Sequence, residues 1–220
     1  MPKKLVKSAT FSSISSGSTS TSTPTPISLP VPRILTDGGP LPKLVVFDLD
    51  YTLWPFWVDT HVNGSIKTVP GSNNTACADR IGEEFAFYRD VPGVLYALPQ
   101  LGMRVGVASR TSAADLARDM LKLLHIHPPA PEDGKKAGKT RKALDMFDAG
   151  LQIYPGSKLT HMQKLQKETG LPYEEFLFFD DESRNRETES LGVTMCLVRD
   201  GVTWGELERG VREWRKRRGF

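Results

Sequence analysis

The stretch KLVVFDLDYTLWPFWVDTHV, Lys43–Val62, decides how this chain folds and where its chemistry sits. Leu44–Phe47 is continuously apolar, the pattern of a strand buried on both faces of a parallel sheet. The run then delivers two carboxylates one residue apart, Asp48 and Asp50, followed by Thr52. Burying such charge at a strand end is costly unless something pairs with it. The rest of the chain must supply that partner.

Further strand-like runs follow: MRVGVA at Met103–Ala108, LQIY at Leu151–Tyr154, EFLFF at Glu175–Phe179 and VTMCLV at Val193–Val198. They alternate with helical periodicity, which predicts an α/β fold with a mainly parallel sheet. A short helix is expected over Val91–Leu101 and a longer one over Ser112–Leu124, with Ser112 as its N-cap. Ser157 caps the next helix, which ends at Gly170 before Pro172. The last starts near Thr203 and carries Trp204, Leu207, Val211 and Trp214 as a core-facing stripe. Leu53–Asp90 reads as a hairpin or flap followed by loop, with NGS at Asn63 as its turn, and His127–Lys139 reads as an exposed loop. His125 and His127 fit a helix-capping or solvated role, because no Cys or His elsewhere has zinc spacing.

The chain has 220 residues and a formal charge of +3, which fits one domain and excludes no partner by itself. Order is expected over residues 41–220, after a disordered Ser/Thr/Pro-rich tail over 1–40. The basic stretches REWRKRRGF and DGKKAGKTRK read as a solvated helix face and a surface loop rather than a nucleic-acid surface. Cys77 and Cys196 make no disulfide framework and fit a reducing cytoplasmic compartment. A nuclear location fits as well, and the basic, hydroxyl-rich tail keeps a mitochondrial transit role open. No apolar run approaches the ~20 residues of a membrane span.

In open α/β sheets, ligands bind beyond the carboxyl ends of the strands. The first strand brings Asp48, Asp50 and Thr52 there; the second brings Ser109, Arg110 and Thr111. PGSK after the third places Lys158 at a helix N-terminus, and the fourth ends in Asp180 and Asp181. Carboxylates, a hydroxyl and a lysine on one rim point to phosphoryl transfer with Mg²⁺, a hard cation that prefers oxygen ligands. Asp48 is the expected nucleophile and Asp50 the acid/base. Asp48, Asp50 (through its carbonyl) and Asp180 are the expected metal ligands, with Asp181 in support. Ser109 and neighbouring N–H groups would hold phosphoryl oxygens, and Lys158 would offset the charge of the reacting group.

DLDYT, ASRT, GSK and DDE in this order resemble the four motifs of the haloacid dehalogenase (HAD) superfamily. The long first stretch and YPGSK are similar to its magnesium-dependent phosphatase-1 branch, over about Leu41–Arg218. The resemblance implies a Rossmann-like, three-layer core without a large cap, a Mg²⁺ cofactor and phosphatase activity. It also implies phosphoryl contacts from the Leu49 backbone, Ser109, Arg110 and Lys158; Thr52, delivered by the first strand, is expected in support. Members of this branch are associated with protein phosphotyrosine and with sugar–amine phosphates such as fructosamine 6-phosphate.

Other readings fare worse. A cysteine phosphatase needs Arg after five intervening residues, where Cys77 meets Glu83 and Cys196 meets Val202. GKKAGKT is one residue short of a P-loop and follows no strand. A phosphomutase would share the motifs, but the short span from Thr52 to Ser109 argues against the large cap that favours transfer over hydrolysis. A non-catalytic phosphate- or nucleic-acid-binding protein would need neither Asp48 nor Asp50.

Overall fold

Five mostly apolar runs become the strands of one sheet, four of them almost wholly buried and the fifth a half-buried edge. In the computed structural model, which describes residues 31–130 and 138–220, chain order begins with β1 (Leu44–Phe47), α1 (Val58–His61), β2 (Lys67–Thr68), β3 (Ala76–Ala78) and β4 (Glu84–Ala86). It continues through α2 (Val91–Gln100), β5 (Arg104–Ser109), α3 (Ala114–Leu123), β6 (His125–Ile126), β7 (Arg141–Lys142) and β8 (Gly150–Ile153). It closes with α4 (Lys158–Thr169), β9 (Phe176–Asp180), β10 (Thr194–Leu197) and α5 (Trp204–Arg217). The main sheet has the order β10-β9-β1-β5-β8, and every pair in it is parallel. Leu44 sits in register with Arg104 on one side and Phe176 on the other, which makes β1 the central strand.

Alternation along β1 divides the core. Val45 and Phe47 join the side chains of α2, α3 and α5, whereas Leu44 and Val46 join Met162 and Leu165 of α4. The result is the expected three-layer, Rossmann-like α/β arrangement. Burying each such side chain stabilises the fold by about 1.5–3 kcal/mol. Phe47 and Phe179 stack at 5.5 Å between neighbouring strands. Helix α5 comes unusually near β9 at Gly210, where a Cβ would lie 2.6 Å from the Phe179 ring.

Between β1 and α2 the chain holds only α1 and a small antiparallel sheet, β2-β3-β4, so no large cap covers the strand ends. The turn expected at Asn63 is not the apex of a hairpin. The β3–β4 connection forms instead around the buried Asp79, whose carboxylate accepts N–H groups from Ile81, Glu83 and Asn63. Ser112 is not a cap either: its hydroxyl donates to Asp59 at 2.9 Å, and α3 starts at Ala114 without a side-chain cap. His125 and His127 tie strand β6 and the residue after it to Asn74 and Asn73 rather than capping a helix. Ser157 and Thr203 do cap α4 and α5, and Gly170 ends α4 in the left-handed region at φ 69°.

Packed chain also begins earlier than residue 41. A 3₁₀ turn at Arg33–Leu35 buries Ile34 and Leu35, and Asp37 pairs with Arg215 of α5 at 2.7 Å. The tail reading for residues 1–30, and that part of the basic loop at 131–137, lie outside the described residues. Arg215 holds the Asp37 carboxyl well below the usual carboxylate range by direct hydrogen bonding. A lowered folded pKa stabilises above the unfolded value of about 3.9, and that contribution is lost as pH falls below it. Asp37→Asn should therefore lower the melting temperature at pH 7 and lower it by clearly less at pH 2, where the contribution is part-way through its loss. Equal differences at both pH values would show that the ion pair is not the cause.

The basic face of α5 is largely neutralised within the chain. Arg209 pairs with Glu206, Arg212 with Glu208, and Arg217 with Glu213 and Glu189. Among the described residues no helix is long and apolar enough to cross a membrane.

Candidate active site

The parallel sheet places the carboxyl ends of β1, β5 and β9 side by side. Asp48 continues β1, its N–H donating to the Phe179 carbonyl at 3.0 Å. Asp180 ends β9 wholly buried. Lys158, the first residue of α4 and 1 % exposed, reaches under both. Its Nζ lies 2.8 Å from Asp48 Oδ1 and 3.0 Å from Asp180 Oδ2, and also donates to the Ala108 carbonyl. Ligand oxygens of Asp48, Asp180 and Asp181 all lie within 4.8 Å of one another.

Asp48, Asp50, Ser109, Arg110 and Asp181 line one cleft of about 140 Å³, together with Trp57, Asp59, Thr111, Glu182 and Arg184. Lys158 and Asp180 lie beneath it. The Leu49 side chain is buried in the core, and its carbonyl accepts from Thr52 and Leu53 N–H. Thr52 is buried, and its hydroxyl has no hydrogen-bond partner among the described residues. Tyr51 turns the chain right after Asp50 with φ 50°, a left-handed conformation that few side-chain-bearing residues adopt.

The carboxylate of Asp50 stands outside the Asp48–Asp180–Asp181 group. Trp54 Nε1 donates to Asp50 Oδ1 at 2.7 Å, and Val58 N–H donates to the same oxygen at 3.2 Å, which fixes the side chain apart from that group. Asp181, expected only in support, supplies the third carboxylate of the group, while the Asp50 atom expected to face a metal is its backbone carbonyl. The two tryptophans divide their work. Trp54 is fully buried, stacks on Phe56 and Phe87, and fastens the segment after β1 to the core. Trp57 is 50 % exposed at the cleft.

Sequence reasoning missed Asn185. It is buried and donates Nδ2 to both oxygens of Asp180, at 2.8 and 2.9 Å, while Arg110 Nη1 approaches its Oδ1 at 3.5 Å. Asn185 follows the DDE motif in a 3₁₀ stretch, Ser183–Leu191, so a search confined to strand ends passes over it. Its one legible signal is an amide a single turn past paired acids.

Electrostatics follow from burial. Burial pushes the Asp50 carboxyl up to about 7, with the Trp54 bond opposing and Asp48 adding to the rise. Asp181 rises to about 6 through burial, then through Asp180 and Glu182. Asp48 is also raised, by burial first; Lys158 opposes this and Asp180 reinforces it. Burial alone would discharge Lys158, but Asp48 and Asp180 outweigh it and keep the ammonium protonated. With all three carboxylates ionised, one ammonium would leave two negative charges uncompensated, and the upward shifts of Asp48 and Asp181 reflect that crowding. Both thiols, Cys77 and Cys196, are buried and unpaired, and burial pushes each up to about 11.

The sequence profile described as acid phosphatase matches residues 40–217. An HAD-like hydrolase superfamily protein of Schizosaccharomyces pombe is 44% identical over 154 residues, covering 70% of this chain and 83% of the relative. Human magnesium-dependent phosphatase 1 is 39% identical over 177 residues, covering 80% of this chain and 89% of that protein. Among solved structures, an HAD-superfamily hydrolase from Ehrlichia chaffeensis superposes with a TM-score of 0.50 at 11% identity, over 80% of this chain and 99% of that one, a likeness of fold. With the profile spanning the whole sheet and relatives matched over most of their length, this chain belongs to the acid phosphatase family of HAD-like hydrolases.

Proposed function

We propose that the chain hydrolyses phosphate monoesters with Mg²⁺, through an aspartyl-phosphate formed on Asp48. The observation that carries this reading is the convergence of Asp48, Asp180 and Asp181 around Lys158 at the end of the sheet. The donor set fits the ion: hard oxygens only, whose three carboxylates in the ionised form exceed the Lys158 ammonium by the two charges one dication offsets. Asp48, Asp180 and Asp181, with the Asp50 carbonyl, would hold it. When bound, Mg²⁺ shields the anionic phosphate from these carboxylates and polarises the phosphoryl group.

The protein's own groups account for the rest. Lys158 holds Asp48 Oδ1, which leaves Oδ2 to attack phosphorus. The new P–O bond to Asp48 forms as the bond to the leaving oxygen breaks, and Asp50 gives that oxygen its proton. Asp50 then takes a proton from water as the water oxygen attacks phosphorus; the bond to Asp48 breaks and inorganic phosphate leaves. A carboxyl poised near 7 serves both steps near neutral pH. Ser109, Arg110 and the Leu49 N–H hold the phosphoryl oxygens, and Thr52 braces the turn that carries Asp50. Asn185 fixes the Asp180 carboxylate by donating to both its oxygens and links it to Arg110 through its own Oδ1.

The finer reading is a substrate of the fructosamine 6-phosphate type or a protein phosphotyrosine; the uncapped cleft and exposed Trp57 support an extended leaving group. The free, buried thiols support a cytoplasmic setting. Phosphate release from fructosamine 6-phosphate, other sugar phosphates and phosphotyrosine peptides, with Mg²⁺ and then EDTA, tests the proposal. Release that survives EDTA would overturn the metal-dependent reading. In the same assay Asp180→Asn should raise the Mg²⁺ concentration for half-maximal rate by about 10–100-fold, and an unchanged requirement would remove Asp180 from the metal position.

A further inference from the structure

One buried titratable side chain has no task in that hydrolysis. His161 is wholly buried in α4, one turn after Lys158. Its Nε2 lies 3.0 Å from the Tyr154 carbonyl, and its ring packs against the Tyr154 ring at 4.3 Å. A carbonyl only accepts, so Nε2 carries the proton and donates. Nδ1 is then a bare acceptor, buried without a hydrogen-bond partner among the described residues. Burial also pushes the imidazole down to about 4, so the ring is uncharged at neutral pH.

Stranding Nδ1 costs stability, which leaves the Nε2 bond as the polar contribution of this histidine. That bond reaches a residue with a second tie. Tyr154, just past β8, donates its own N–H to the Ser109 carbonyl at 3.1 Å. One residue therefore joins the end of β5, which carries the Ser109 hydroxyl, to α4, which carries Lys158. The link from Tyr154 to Ser157 is short, and Gly156 within it has φ 152°, open to glycine but rarely to other residues. Lys158 Nζ has its own anchors in Asp48, Asp180 and the Ala108 carbonyl. Those anchors do not tie the Ser109 backbone to the start of α4; the His161–Tyr154–Ser109 chain does.

We propose that His161 is a positioning residue: through the Tyr154 carbonyl it sets the spacing of Ser109 from Lys158, and with it the grip on the phosphoryl group. The inference rests on the phosphatase reading above. It assigns to His161 phosphate binding and not metal binding.

Two measurements on the parent and two variants test it: titration with inorganic phosphate in the presence of Mg²⁺, and turnover of whichever ester of the panel above reacts fastest. His161→Phe keeps a ring against Tyr154 and removes the stranded nitrogen together with the donor, so the melting temperature should stay close to that of the parent. Phosphate affinity and kcat/KM should both fall about tenfold, while the Mg²⁺ concentration for half-maximal rate stays unchanged. His161→Gln carries an amide N–H as many bonds from Cα as Nε2 and should restore most of both. If the Phe variant does not fold, His161→Leu makes the same comparison. Parent-like phosphate affinity without the donor overturns the proposal. A Gln variant as impaired as the Phe variant overturns it too, since the ring alone would then matter. So does an Mg²⁺ requirement that shifts as far as phosphate affinity, which marks a general loosening of the site. No release from any ester by the parent instead brings down the phosphatase reading, and the phosphate titration then still decides the role of His161.

Discussion

Asp48→Asn should cut phosphate release by roughly 10⁴-fold or more while leaving the protein folded. An amide oxygen cannot form the acyl phosphate, so the loss falls on the chemical step and not on substrate binding. The substitution is nearly isosteric, and its amide oxygen still accepts from Lys158, which contacts Asp48 Oδ1 and Asp180 Oδ2 at 2.8 and 3.0 Å. Removing one of three crowded carboxylates relieves like-charge repulsion, so the melting temperature should hold or rise. The direct readout is covalent: denatured parent protein, quenched during turnover, should carry hydroxylamine-labile phosphate that the variant lacks. Near-normal turnover in Asp48→Asn would end the proposed mechanism.

Lys158→Ala should be damaging in two separable ways. With 1 % of its surface exposed, the lysine compensates Asp48 and Asp180 where water cannot. Its removal strands two buried carboxylates, which costs about 3–5 kcal/mol, measurable by denaturant unfolding. It also removes positive charge beside the reacting phosphoryl group, worth a further 10²–10³-fold in kcat/KM. The pH dependence has a definite sign. Lys158 has a raised folded pKa, so its stabilisation is present below the unfolded value of about 10.4 and fades only as pH rises through the folded one. The stability gap between parent and variant should accordingly persist across neutral pH. Lys158→Arg is not a rescue, since a planar fork cannot replace a compact ammonium that also donates to the Ala108 carbonyl. A variant with full stability and reduced rate would mean that the carboxylates find another partner.

The five main strands were legible because each is a short, predominantly apolar run, and the strand-end rule then collected Asp48, Asp50, Ser109, Arg110, Lys158, Asp180 and Asp181 into one place. What stayed hidden depends on partners far away in sequence. Ser112 looks like a cap locally, but Asp59, 53 positions upstream, takes its hydroxyl. The order of residues 31–40 depends on Arg215, 178 positions from Asp37. Strands of two or three residues, such as β2 and β3, are too short to show a period, so the small sheet read only as a flap. The aim of Asp50 was unreadable because the Trp54 indole sets it, and the same stretch offered two tryptophans with no local sign of which would be buried.

The state of the two thiols has a consequence for oxidative stress. Peroxide attacks thiolates, and phosphatases that use a low-pKa cysteine nucleophile are silenced by it. Here the proposed nucleophile is a carboxylate, which peroxide does not oxidise, and Cys77 and Cys196 are buried with thiols held up at about 11, so almost no thiolate exists at physiological pH. Dephosphorylation through Asp48 should therefore persist under peroxide that inactivates a cysteine-dependent phosphatase.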